Sequence, residues 1–219
     1  MSEEKKSHLM VDIETLGTSA DAVVTQVGAV FFDPETGLTG AEFSEILSAD
    51  RQQDRGRQVC LNTVHWYREQ GLKMVGIGEG FKDPYTVISE LSHWVRSHAC
   101  DVDSLQVWCN GASFDFAILS NLAEMYQLDL PWFFFNQRDV RTVVCVAKSK
   151  GLQFADRVVS HDALDDCKCQ VKDVFHAFCG LSLEREWMPQ DRGQVFYESL
   201  NAGHEGMGKP WEELDAVDR

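Results

Sequence analysis

Positive charge is in short supply in this 219-residue chain: 20 lysines and arginines stand against 35 aspartates and glutamates, a formal net charge of −15. A field of that sign repels a polyanion at long range, so composition alone argues against nucleic-acid binding. One exception survives. Carboxylates that gather divalent cations add to the negative formal charge, yet the site they form becomes locally positive once metal is in place. Long apolar runs are also lacking, none approaching the ~18 residues of a membrane-spanning helix. The opening string MSEEKKSH has no apolar segment and is not expected to be a secretory leader.

Regular cysteine spacing is missing too. The seven cysteines include no CxxC, and Cys167 and Cys169 stand too close together for the usual zinc-ligand pair. Several lie in apolar strings, VWC at 107–109 and TVVCVA at 142–147, where a free thiol behaves as a small hydrophobe. An odd count so placed speaks for a reducing compartment and against a disulfide framework. What is present, 44% hydrophobic and 25% charged residues, is ordinary globular composition. The length suits one larger domain or two small ones.

Hydrophobic and turn patterns alternate along the chain. Residues 8–13 and 22–32 read as strands, and the DPETG turn at 33–37 leads into a third near 41–47. Residues 51–58 are polar and read as loop. Asn62 suits an N-cap for a helix over 63–70 stopped by Gly71, and Asp83-Pro84 opens another over 84–99. A short strand over 105–109, an amphipathic helix over 114–128, a helix over 139–150 and a longer one over 161–179 ending at Gly180 complete the pattern. Strands with hairpin signals followed by alternating helices imply an α/β domain with a mixed sheet. The aromatic run 132–135 reads as core. After Gly180 the chain turns polar, so residues 1–180 read as the domain and 181–219 as a polar extension, partly disordered at its end.

Three acidic clusters stand out. Asp12 and Glu14 are two apart on the first strand, so both carboxylates face one side; alone, the pair equally suits a strand end capping the next loop. Asp115 falls in the first turn of a helix directly after a strand, where the helix dipole favours any acid. His161, Asp162, Asp165 and Asp166 open the late helix, where cap and dipole chemistry would also place them. Asp162 and Asp166 share a helix face, and three acids within a turn and a half repel one another unless a cation intervenes.

Taken in order, VDIET (11–15), NGASFDFAIL (110–119) and HDALDD (161–166) resemble the DEDDh exonuclease superfamily, with its ribonuclease-H-like fold. The likeness spans residues 9–180. Within the superfamily the chain looks closest to the subgroup holding a T-even-phage exonuclease and a bacterial RNA exonuclease, through WCNGASFDFAIL (108–119) and NQRDVRT (136–142). The resemblance implies a ribonuclease-H-like mixed β-sheet flanked by helices. It also implies that Asp12, Glu14, Asp115 and Asp166 surround two divalent cations, Mg²⁺ or Mn²⁺. Histidine is the side-chain type that exchanges a proton near neutral pH, and His161 takes the place of the general base. The family pattern of four residues between histidine and aspartate selects Asp166 over Asp165.

The expected activity is 3′→5′ hydrolysis of single-stranded ends to nucleoside 5′-monophosphates. The terminal nucleotide would seat on the backbone at Thr15 and Leu16. Trp66 and Phe114 are stacking surfaces in this reading, although Trp66 equally suits helix packing, and Asn110 holds the turn or touches the sugar. Single-stranded DNA and RNA both remain as substrates, a homodimer is allowed, no membrane partner is expected, and the cytoplasm of a bacterium or phage-infected cell is the expected location. Two other activities use the same residues: hydrolysis of a small nucleotide, which the acidic composition favours, and nucleic-acid binding without cleavage.

Overall fold

The computed structural model describes residues 7–155 and 160–187, with side chains as far as residue 182. The first six residues and the polar stretch from 188 onward, with the disorder expected at its end, lie outside the described residues. Contacts separate residues 1–181 from 182–219, and the architecture below is that of the first unit.

Three consecutive strands, β1 (His8–Thr15), β2 (Val24–Phe32) and β3 (Thr39–Ile46), form an antiparallel meander. On the other side of β1, β4 (Gln106–Cys109) and β5 (Gln137–Asp139) add in parallel, giving the order β3-β2-β1-β4-β5. The expected turn joins β2 to β3: Gly37 N–H donates to Asp33 O at 2.8 Å, with Gly37 at φ +71°. Helices α1 (Ala49–Gln53), α2 (Leu61–Glu69) and α3 (Pro84–His98) precede β4, α4 (Asp115–Met125) follows it, and α5 (Val140–Ser149) and α6 (Ala163–Trp187) are the last elements among the described residues.

Alternation along β1 divides the core in two. Leu9, Val11 and Ile13 pack with Val87, Leu91 and Val95 of α3 and with Phe116 and Leu119 of α4. Met10 points the other way, into a cluster with Phe32, Trp108, Val140 of α5 and Val171 and Val174 of α6. Each fully buried aliphatic side chain contributes about 1.5–3 kcal/mol relative to exposure. The same alternation carries Asp12 and Glu14 onto the Met10 side, beneath α6.

β2 holds the start of α6 in place. Gly28 pairs with Asp12 across the strands, and a Cβ on Gly28 would lie 2.4 Å from the Ala163 carbonyl carbon. Beside it, Gln26 Nε2 donates to Asp162 Oδ2 at 3.0 Å while Gln26 Oε1 accepts from Ala163 N–H at 3.4 Å. Asp162 itself caps the helix, its Oδ1 accepting from Leu164 and Asp165 N–H.

Several local expectations are corrected. The expected 51–58 loop begins in helix α1, whose cap is Ser48 Oγ accepting from Arg51 N–H. Helix α2 starts at Leu61 with Cys60 in the capping position, so Asn62 lies inside the helix and caps nothing. β5 was not foreseen. Gly180 does not end α6: the helix continues to Trp187, and the missing side chain makes room for Leu152, whose Cδ2 would stand 1.9 Å from a Cβ there. Of the aromatic run, Trp132 alone is core at 7% exposure, whereas Phe133, Phe134 and Phe135 are 46%, 80% and 58% exposed.

Candidate active site

β1 and β4 run parallel, so their carboxyl ends open onto the same edge of the sheet, where open α/β sheets bind ligands. Asp12 and Glu14 lie at this end of β1. Gln170 of α6 donates from Nε2 to Asp12 Oδ1 at 2.7 Å. Tyr67 of α2 donates its hydroxyl to Glu14 Oε2 at 2.6 Å, a short bond of the charge-assisted kind.

Beyond β4 the chain makes a tight turn through Gly111, at φ +136°, a conformation that favours glycine. Phe114 and Asp115 N–H both donate back to Gly111 O, and α4 begins at Asp115, which is 3% exposed. Asp139 ties this turn to α5: its Oδ2 accepts from Ala112 N–H at 2.7 Å and its Oδ1 from Thr142 N–H at 2.9 Å.

The third motif arrives with α6. His161 has φ +55°, uncommon for a residue with a side chain and concentrated in functional sites. Its Nδ1 stands 3.9 Å from Glu14 Oε2, and its ring meets Trp66 edge-to-face at 5.0 Å. Asp166 is buried, its Oδ1 accepting from Ser160 N–H and Oγ at 3.1 and 3.2 Å. Asp165 points into solvent. Glu14, His161 and Asp166 each offer a ligand atom within 4.8 Å of the others.

Crowding of buried acids raises their proton affinity. Asp12 is raised well above the usual carboxylate range, first by burial and then by Asp115, against the Gln170 hydrogen bond that lowers it. Burial pushes Asp115 up to about 7. Glu14 is raised by burial as well, with the Tyr67 hydrogen bond and His161 opposing. These are the marks of a site short of positive charge.

The donor set suits a hard divalent cation: carboxylate oxygens with one imidazole, and no thiolate among the paired groups. Gln170, which also lines the cavity, has a buried Oε1 with no hydrogen-bond partner among the described residues. The residues present fit a bound metal.

Asp12, Glu14, Asp115, His161 and Asp166 therefore share one cavity of about 190 Å³, which Asn110 and Phe114 also line. Trp66, 40% exposed, flanks it through its contact with His161. Thr15 and Leu16 are buried next to the motif and do not line the cavity; Thr15 Oγ1 donates to Gly17 O, and Leu16 uses its N–H on Val23 O and its carbonyl on Cys60 N–H. Sequence reasoning missed Tyr67, Ser160, Gln170 and Arg141. Gln170 was within reach, being four residues after Asp166 on one helix face. Tyr67 and Ser160 carry no sequence signal of their own.

Comparison with known proteins fits this geometry. The profile of the 3′-5′ exoribonuclease Rv2179c-like domain matches residues 7–177. The exodeoxyribonuclease of Enterobacteria phage T4 is 28% identical over 198 residues, covering 75% of this chain and 85% of the phage protein. Solved structures with a similar fold include cell-death related nuclease 4, CRN-4 (TM-score 0.56, 12% identity, 80% of this chain and 64% of that one). E. coli exonuclease I in complex with a dA16 oligonucleotide gives a TM-score of 0.56 at 14% identity, covering 77% of this chain and 40% of that one. The nuclease domain of 3′hExo, a DEDDh family member bound to rAMP, gives 0.51 at 12% identity, covering 81% and 94%. At such identities the solved structures speak to the fold, which is ribonuclease-H-like with a mixed five-stranded sheet. The profile takes in every segment that supplies the cavity, and the chain belongs to the 3′-5′ exoribonuclease Rv2179c-like domain family.

Proposed function

We propose that the chain removes nucleoside 5′-monophosphates from single-stranded 3′ ends, with Asp12, Glu14, Asp115 and Asp166 holding two Mg²⁺ or Mn²⁺ ions. The observation that carries this reading is the convergence of four carboxylates and His161, from three separate segments, on one cavity. The ions would supply an activated water and charge stabilisation at the phosphate and the leaving 3′ oxygen. The protein's own residues do the rest. Tyr67 and Gln170 fix the rotamers of Glu14 and Asp12, so the carboxylates are oriented before any ligand arrives. His161, 3.9 Å from Glu14 Oε2 and partly open to the cavity, is the group to accept the proton of the attacking water. Trp66 and Phe114 offer ring surfaces for a terminal base, with Asn110 toward its sugar. Thr15 and Leu16 act from behind, shaping the end of β1 on which the nucleotide would rest.

DNA and RNA ends are both within this proposal, since the family is described by exoribonuclease activity and the phage relative by exodeoxyribonuclease activity. A second reading, hydrolysis of small nucleotides, is favoured by the modest cavity and the −15 charge. All seven cysteines are free, which supports work in a reducing cytoplasm. We assign the activity to residues 1–180, with 181–219 as a polar extension.

The test is incubation with Mg²⁺ and 5′-labelled single-stranded DNA and RNA of one sequence, beside dinucleotides and nucleotide esters. Stepwise shortening from the 3′ end that stops with chelator is expected. Turnover confined to the small substrates would replace the first reading with the second, and internal cutting of a circular strand would overturn both.

A further inference from the structure

The cavity has one basic wall. Among the described residues Arg141 is the only lysine or arginine that lines it. It belongs to none of the acidic motifs, and no hydrogen bond or ion pair joins it to another described residue. That is unexpected in a cavity holding four carboxylates, where a guanidinium would ordinarily be drawn into a bidentate pair.

The local structure explains why it stays apart. Arg141 sits in the first turn of α5, and the Asp139 carboxylate, bonded at once to Thr142 N–H and Ala112 N–H, locks that turn to the loop after β4. The guanidinium then lies over Gly111: a Cβ there would be 3.3 Å from Cζ and 3.4 and 3.5 Å from the two Nη atoms. Near-equal distances to all three mean that the group presents a flat face to the glycine. Its N–H edge is left unspent, and the side chain remains exposed to solvent at the cavity rim.

We propose that Arg141 is a substrate-binding residue whose guanidinium grips the non-bridging oxygens of a phosphate of the bound strand. The assignment rests on the exonuclease reading above and deepens it. A planar fork with five donors matches a phosphate better than any other side chain does. Held on Gly111, it adds positive charge at the rim; that charge favours the ionised form of Asp115, yet no hydrogen bond or ion pair ties the guanidinium to a described carboxylate. In a chain of charge −15, this arrangement places a positive charge at the cleft, where a polyanion would have to bind.

The test compares the wild type with Arg141→Ala and Arg141→Lys, using Mg²⁺-dependent kinetics on a single-stranded oligonucleotide and fluorescence anisotropy for binding. Arg141→Ala should raise KM roughly 10- to 100-fold with kcat within about threefold, and Arg141→Lys should recover part of the loss. The slope of log(kcat/KM) against log salt should become shallower by about 0.7, the share of one phosphate contact on a single strand. A neutral methylphosphonate walked along the linkages should slow the wild type at one position, and that penalty should vanish in Arg141→Ala. Unchanged KM and salt slope would overturn the assignment, as would a change in Mg²⁺ affinity alone, which would make Arg141 a partner of Asp115. A wild type that binds the oligonucleotide without cutting it sinks the exonuclease reading while the anisotropy contrast still judges Arg141. A wild type that neither binds nor cuts sinks both.

Discussion

Tyr67 and His161 converge on a single oxygen of Glu14, the hydroxyl at 2.6 Å and the imidazole Nδ1 at 3.9 Å from Oε2. The tyrosine is held in its protonated, donating form, because burial and then Glu14 raise its proton affinity. Outer partners of this kind typically change metal affinity by about 10- to 100-fold. Tyr67→Phe should therefore weaken divalent-cation binding by at least about tenfold while the fold is retained. Calorimetric titration with Mn²⁺ beside a thermal melt measures both; unchanged affinity would reduce Tyr67 to a packing residue.

Gly28→Ala should damage the site from a distance. The new methyl would meet the Ala163 backbone at 2.4–2.5 Å, where no flexible side chain can move aside. Overpacking of this kind costs about 1–3 kcal/mol. The displaced helix start also carries His161 and Asp166, so single-turnover rate should fall in the molecules that remain folded. A lower melting temperature with normal rate would mean that α6 absorbs the methyl without moving its catalytic end.

The raised carboxylates fix the direction of the pH dependence. In metal-free protein, Asp115 holds its proton up to about 7 when folded, and Asp12 and Glu14 are raised in the same sense. Unfolded carboxyl groups release theirs near 4. The folded state therefore binds extra protons in that window, and these groups' contribution to stability is lost as pH rises from about 4 to about 7. A divalent cation prefers the ionised groups, so the melting-temperature gain from added Mg²⁺ should grow with pH over the same range. Melts from pH 5 to 8 with and without Mg²⁺ check this, and a gain independent of pH would contradict it. Asp12→Asn should raise the metal-free melting temperature at pH 8 and abolish turnover.

His161→Asn separates chemistry from folding, since asparagine tolerates the left-handed backbone that His161 adopts. If His161 takes the water's proton, single-turnover rate should fall roughly 10²–10⁴-fold with metal binding intact. Loss of stability with an unchanged rate per folded molecule would leave it only a structural role.

The sequence revealed what depends on local periodicity. Alternation in VDIET put Asp12 and Glu14 on one side of β1, and the strand–glycine–helix pattern around NGASFD put Asp115 at a helix start. What stayed hidden was set by distant partners. Helix α1 has no apolar stripe to announce it; of its two buried residues, Ala49 and Gln52, the second works by bonding the Val24 N–H and carbonyl of β2. Three-residue β5 is polar throughout and exists because β4 offers it an edge. Gly180 reads locally as a helix stop, yet the reason for glycine is the approach of Leu152, 28 positions earlier. Phe133–Phe135 read as core by composition, and only the chain path reveals that they face solvent.

The bond from Gln170 to Asp12 spans 158 positions of sequence. During synthesis β1 leaves the ribosome with two of the acids well before His161, Asp166 and Gln170 emerge. No nascent chain that stops short of α6 can assemble the full set, whatever else of the sheet has already formed. The proposed cutting centre is thus absent from the nascent chain until α6 settles over Gly28.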